Sequence, residues 1–281
     1  MQAWRPVAAL AAVVALAASG AETGAEAFAR SQELVRKGDL SGALDAVGAA
    51  ARADPQNPAY RQQYMLLQRV LKTRDALATE ADPAKWWQMA LGLRNFYYAN
   101  GLYAQVVALA RQMHEKQPSV ASATILADAL LALGQNAEAE QALAALDAKA
   151  LTLQAKALLG IALARQKKVD QAKAILGQLA LPDDAGPRFL FDVARLRVLC
   201  GDTDGGLATL KTALESTNPR ALDAFRDLAK TSGDFASVAG GDAFAKVLAT
   251  ESKVDESACS SGAGCGSCPN RKACPSTGDA K

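Results

Sequence analysis

Four thiols dominate the chemistry this sequence could perform. Cys259, Cys265, Cys268 and Cys274 stand in a Gly/Ser-rich C-terminal stretch, separated by five, two and five residues. Thiolates are nucleophiles, redox partners and soft metal ligands, and four of them on a short loop can wrap a tetrahedral ion such as zinc. The two-residue gap suits a zinc knuckle, but the stretch has no histidine and its five-residue gaps are not a standard zinc spacing. In an oxidising compartment the same residues would form two disulfides, with three connectivities open. A thiol-exchange pair at Cys265 and Cys268 is a third option, without the βαβ surroundings such pairs have. Iron–sulfur ligation fits least, because the spacing is wrong for a ferredoxin run. The fifth cysteine, Cys200, closes a helical stretch and is expected to be a buried small apolar residue.

Elsewhere the reactive residues are few. His114 is the single histidine, so neither a Ser-His-Asp constellation nor a histidine metal site can be assembled. There is no Gly-Lys-Ser/Thr phosphate loop and no dinucleotide fingerprint. The chain is therefore expected not to be an enzyme and to carry no cofactor, with zinc or another metal at the four cysteines as the alternative. Lys and Arg total 31 against 29 Asp and Glu, a formal charge of +2 that gives no footprint for nucleic acid.

The first 21 residues have the layout of a secretory signal. Arg5 supplies the positive end, Val7 to Ala18 is a 12-residue apolar run, and Ser19-Gly20-Ala21 offers small residues for cleavage. The run is too short to span a bilayer, and no other long apolar segment follows. The expectation is export to the periplasm or outside the cell, with no membrane span after cleavage.

The elements that would position any site follow from composition and period. Half the residues are apolar, only 5% are aromatic and alanine dominates, which favours close-packed helices. Turns recur at Gly38, Gly101, Gly134, Lys167, Gly201 and Gly233, with spacings of 63, 33, 33, 34 and 32. The first gap spans about two units, so a degenerate turn is expected near Lys72-Arg74. Between the turns, apolar residues fall three or four apart, as in Leu40, Ala43, Leu44 and Val47. Asp54-Pro55 stops one helix, Asp82-Pro83 starts another with Asp82 as N-cap, and Asn218-Pro219 opens the last unit. This predicts an all-α solenoid of about seven helix-turn-helix repeats over residues 24–250, followed by a flexible tail, 251–281.

The units resemble the tetratricopeptide repeat family, whose repeat runs about 34 residues. Leu126-Ala127 and Leu159-Gly160 match its large–small pair in the first helix, and Gly101 with Tyr103 and Gly233-Asp234-Phe235 match its turn. Ala43, Ala139 and Ala172 match its second-helix alanine, and Pro55 and Pro118 its closing proline. Val106 and Gly206 depart from the alanine and Lys167 from the turn glycine. The resemblance covers roughly Ala25 to Leu248.

That resemblance implies a right-handed superhelix whose first helices line a groove for a protein or peptide partner. It places Gln88, Asn95 and Tyr98 on the groove in one unit, Asp128 in the next, then Arg188 and Arg195, then Asp223 and Asp227. Arg188 and Arg195 are seven apart and share a helix face that could hold a carboxylate; the competing reading is a solvated face. Trp86 and Trp87 point about 100° apart on a helix, so they are expected to pack between units, not to form an aromatic clamp. The chain thus reads as an exported binding or assembly scaffold, with metal or thiol handling by the cysteine tail as the alternative.

Overall fold

Five of the six expected turn centres take a left-handed backbone conformation: Gly38 (φ 83°), Gly101 (72°), Gly134 (79°), Gly201 (88°) and Lys167 (65°). A residue with positive φ just past a helix turns the chain back so that the last carbonyls find partners. The same bond closes all five turns. The N–H after the turn residue donates to the carbonyl five residues back: Asp39 to Leu34 (3.0 Å), Leu102 to Tyr97 (2.9 Å), Gln135 to Leu130 (2.8 Å), Lys168 to Leu163 (3.0 Å) and Asp202 to Arg197 (2.9 Å). Glycine adopts this conformation without steric cost, whereas Lys167 bears the strain of its Cβ.

The computed structural model describes residues 22–254, which hold thirteen α-helices and one short 3₁₀ turn, and no strand among the described residues. They group into two units, the first ending at Leu102 and the second beginning at Tyr103. The expected signal segment, 1–21, and residues 255–281 with the four cysteines lie outside the described residues.

The first unit contains α1 (Gly24–Lys37), α2 (Leu40–Ala53), α3 (Pro58–Leu77) and α4 (Pro83–Ala99). A capping box at Thr23 and Glu26 starts α1, satisfying N–H groups that have no partner inside the helix. The helices α1 and α2 form a hairpin about Gly38, with Ala43 fully buried at the crossing and the Ser31 hydroxyl donating to its carbonyl at 2.7 Å. Next, α3 packs on α2 and α4 on α3. Asp82 caps α4 as expected, accepting from Ala84 and Lys85 at 2.9 and 3.2 Å. The expected turn at Lys72-Arg74 is not there: α3 runs unbroken for 20 residues. Lys72, Thr73 and Arg74 include no glycine and take no positive φ, and lysine and arginine are good helix formers. The degenerate repeat is thus a single long helix, with α2 and α4 packed against it.

In the second unit, α5 (Tyr103–Lys116) packs on α6 (Val120–Ala132), and α6 pairs with α7 (Asn136–Ala144). The pairs α8 (Leu153–Arg165) with α9 (Val169–Leu176) and α10 (Pro187–Leu199) with α11 (Thr203–Glu215) follow. The first helices α6, α8 and α10 also pack on one another in succession, which builds a repeat stack. Two glycines permit the tightest crossings. A Cβ on Gly160 of α8 would lie 2.7 Å from Leu196 of α10, and one on Gly206 of α11 would lie 2.5 Å from Val198 of α10. Gly206, a departure from the repeat alanine, is therefore there because α11 sits too close to α10 for a methyl group.

The last unit is built differently. After α12 (Pro219–Thr231), Gly233 does not take positive φ; Gly233–Phe235 forms a 3₁₀ turn, and α13 (Asp242–Leu248) follows. Phe235 is 1% exposed, with ring centroids 5.8 Å from Phe191 and 5.6 Å from Phe244. This aromatic plug covers the end of the stack, and burying one such ring stabilises the fold by about 2 kcal/mol. Residues 252 and 253 dock back on the end of α11, through Ser252 to the Thr217 carbonyl (2.6 Å) and the Lys253 N–H to the Glu215 carbonyl (2.8 Å).

Candidate binding face on the first helices

The inner faces of α6, α8 and α10 carry charge where a repeat core would normally be apolar. Arg195 is 6% exposed and Asp192 fully buried. Arg195 donates through Nε to Asp234 (2.7 Å) and through Nη1 to Asp192 (2.6 Å), with its guanidinium 5.6 Å from the Phe191 ring centre. Arg165, at the end of α8, grips the other side of Asp234 with two bonds, Nε at 2.8 Å and Nη2 at 3.0 Å. Its remaining Nη1 donates to the Leu131 carbonyl at 2.6 Å, where α6 runs out of internal partners. Toward the start of α10, Arg188 donates to Asp128 of α6 at 2.7 Å and lies 3.4 Å from Asp192, which also accepts from Gln154 of α8 at 2.6 Å.

Three arginines thus meet three aspartates, and their formal charges cancel. Burial pushes the Asp234 carboxyl up, but the hydrogen bonds and charges of Arg165 and Arg195 outweigh it and hold the group below its ordinary range. For Arg195, burial favours loss of charge, and Asp192 and Asp234 more than reverse that, raising its pKa. A buried charge in such a set is tolerable only while every partner is present.

This arrangement decides what the expected groove residues can do. Arg188, Arg195 and Asp128 do come together, but Arg195 is enclosed and spends its donors on Asp192 and Asp234. It offers no carboxylate grip to a ligand in this conformation. Arg188 stays at the edge, its side chain 38% exposed and fixed by Asp128, Asp192 and the Phe191 ring. Asp223 and Asp227 lie exposed on α12, each paired along the helix, with Arg226 at 2.8 Å and Lys230 at 3.2 Å. Gln88 and Asn95 are exposed on α4 of the first unit, and Tyr98 is half-buried there with Arg94 over its ring.

Trp86 is buried and Trp87 half-buried, as packing residues would be. Cys200 is buried, and that burial pushes its thiol up, away from reactivity. The His114 ring stands 2.9 Å from the Ser122 hydroxyl, a contact between α5 and α6. Among the described residues, no group of three or more His, Cys, Asp or Glu side chains could hold a metal ion. No helix among them is long and apolar enough to cross a membrane.

Sequence reasoning missed Arg165, Gln154, Asp192 and Asp234 as members of one cluster. Part of it was visible, since Arg188, Asp192 and Arg195 sit at i, i+4 and i+7 on one helix. The remainder was not, because Asp234 is 39 and 69 residues from its two arginines.

No protein-family model matches this chain, and no curated protein matches it. Among solved structures, it is similar to a tetratricopeptide repeat protein from Parabacteroides merdae ATCC 43184, at 16% sequence identity and a TM-score of 0.42, over 81% of this chain and 98% of that one. The repeat character itself is internal to this chain: one turn geometry used five times, and first helices packed in succession, make it an all-α helical-repeat protein.

Proposed function

We propose that this chain is an exported, non-enzymatic scaffold that binds a protein or peptide partner along its first-helix faces, in the periplasm or outside the cell. The observation that carries the reading is the edge formed by Asp128 and Arg188. Its half-exposed guanidinium is held in place by a buried network, so little side-chain entropy remains to be lost on binding. Polar side chains on α4, Gln88 and Asn95, offer a second exposed set. Arg195 supports the edge from beneath.

Capture from an envelope extract by the full chain tests this, with Arg188→Ala and Gln88→Ala/Asn95→Ala as variants. A partner retained by the wild type and lost by either variant, at unchanged thermal stability, supports the reading. Equal capture by all three removes these faces from the site. Cleavage of a signal segment at residues 1–21 is tested by sequencing the N-terminus of secreted protein, where a start at Met1 overturns it, and export by whether the protein reaches the envelope or medium at all. The four cysteines motivate a second reading, metal or thiol handling. Metal content and free-thiol count on protein purified without chelator or reductant decide it, and the absence of both leaves structural disulfides only.

A further inference from the structure

The helix α3 runs 20 residues without the turn expected within it, and its solvent side is chemically distinctive. Met65 is 57% exposed and Leu66 43%, the two most exposed large hydrophobic residues among those described. Arg61, Met65, Gln68, Arg69 and Lys72 fall within about 100° of arc on the helix, so they form one stripe. All five are exposed. Among the described residues, Arg61, Arg69 and Lys72 have no ion-pair partner, whereas Arg74, two residues on and off the stripe, is held by Asp75 at 2.9 Å. Two adjoining surface grooves share Met65, one bounded by Arg61, Tyr64 and Ala51 of α2, the other by Arg69 and Lys72.

Charge decides among the occupants. A second copy presenting the same stripe would set three cations against three cations. Residues 1–21 contain no acid, and residues 255–281 contain no Leu, Ile, Val, Met or Phe to fill the grooves, so neither segment matches. A membrane surface would want an apolar face broader than the two exposed side chains here. A grooved, cationic stripe with a methionine at its centre fits the helix-in-groove mode, in which an amphipathic helix inserts apolar residues and flanks them with charge.

We propose that this face of α3 docks an acidic amphipathic helix of a partner protein, its apolar stripe on Met65 and its carboxylates on Arg61, Arg69 and Lys72. The surface is separate from the first-helix edge at Asp128 and Arg188, and stands or falls independently of it.

The test measures binding of the full chain to a labelled helical peptide of about 18 residues with one leucine stripe flanked by glutamates. A scrambled peptide of the same composition is the control. Arg61→Glu/Arg69→Glu and Met65→Asp should each weaken the patterned peptide by about tenfold or more, while Lys173→Glu on α9 leaves it unchanged. Circular dichroism confirms that the variants fold, as expected for exposed positions. The proposal is overturned by no binding of the patterned peptide, by equal binding of the scrambled one, or by equal loss in the Lys173 variant. It is also overturned if these variants abolish binding to phosphatidylglycerol vesicles instead, or dissolve a self-associated form seen by sedimentation.

Discussion

Both α10 and α3 carry arginines at helical spacing, and the structure treats them in opposite ways. On α10, Arg195 is enclosed between Asp192 of the same helix and Asp234 of the 3₁₀ turn, and Arg188 is fixed at the edge by Asp128 of α6. On α3, Arg61, Arg69 and Lys72 face outward without an ion-pair partner among the described residues. The difference lies in what the neighbouring elements deliver. The Gly201 turn returns α11 against α10, and the 3₁₀ turn then delivers Asp234 from the next unit. Both α2 and α4 pack on α3, but neither brings a carboxylate onto the stripe of Arg61, Arg69 and Lys72. A basic helix face therefore announces neither a ligand site nor a structural pair until its neighbours are known.

The contrast can be broken at its strongest point. Asp234→Ala leaves Arg165 and Arg195 without their shared counter-charge, and should cost about 3–5 kcal/mol in urea unfolding. A loss below about 1 kcal/mol would mean that water replaces the carboxylate and that the network is not tightly enclosed. Because Asp234 is held below its ordinary value of 3.8, its contribution is complete above the usual carboxylate range and vanishes as pH falls through the lowered folded value. The wild type should accordingly lose stability more steeply than Asp234→Asn below about pH 4, which a series of thermal melts resolves.

Smaller effects sharpen the same comparison. Gly206→Ala forces α11 away from α10 and should destabilise by about 1–3 kcal/mol, read as a shift in denaturation midpoint at constant slope. Lys167→Gly relieves the one non-glycine left-handed turn among the described residues and should stabilise by about 1 kcal/mol. On α3, Arg61→Ala/Arg69→Ala should change stability by less than about 0.5 kcal/mol. A larger loss would show those cations paired within the fold, and α3 would then resemble α10 after all.

The repeat fold was legible because its turns impose a conformation that one residue type satisfies best. Gly38, Gly101, Gly134 and Gly201 each stood where a left-handed turn was required, and even Lys167 was found by spacing. Lys72-Arg74 misled because period alone cannot create a turn where every residue favours helix. Gly233 marked a real turn of a different kind, since the aromatic plug holds Phe235 inward. The candidate face was legible only in part. Polar first-helix positions could be named, but whether a charge such as Arg195 is saturated depends on partners from distant repeats, and sequence spacing does not carry that information.

Arg165 has a consequence for how the molecule comes apart. In a linear stack each unit touches only its neighbours, so the terminal unit can fray by itself. Here one guanidinium bonds the Leu131 carbonyl at the end of α6 and both oxygens of Asp234 in the last unit. The C-terminal turn therefore cannot open without exposing a charge beneath α8. Amide exchange across α6, α8, α10 and residues 233–235 should proceed as one cooperative block, with the last turn as its latch.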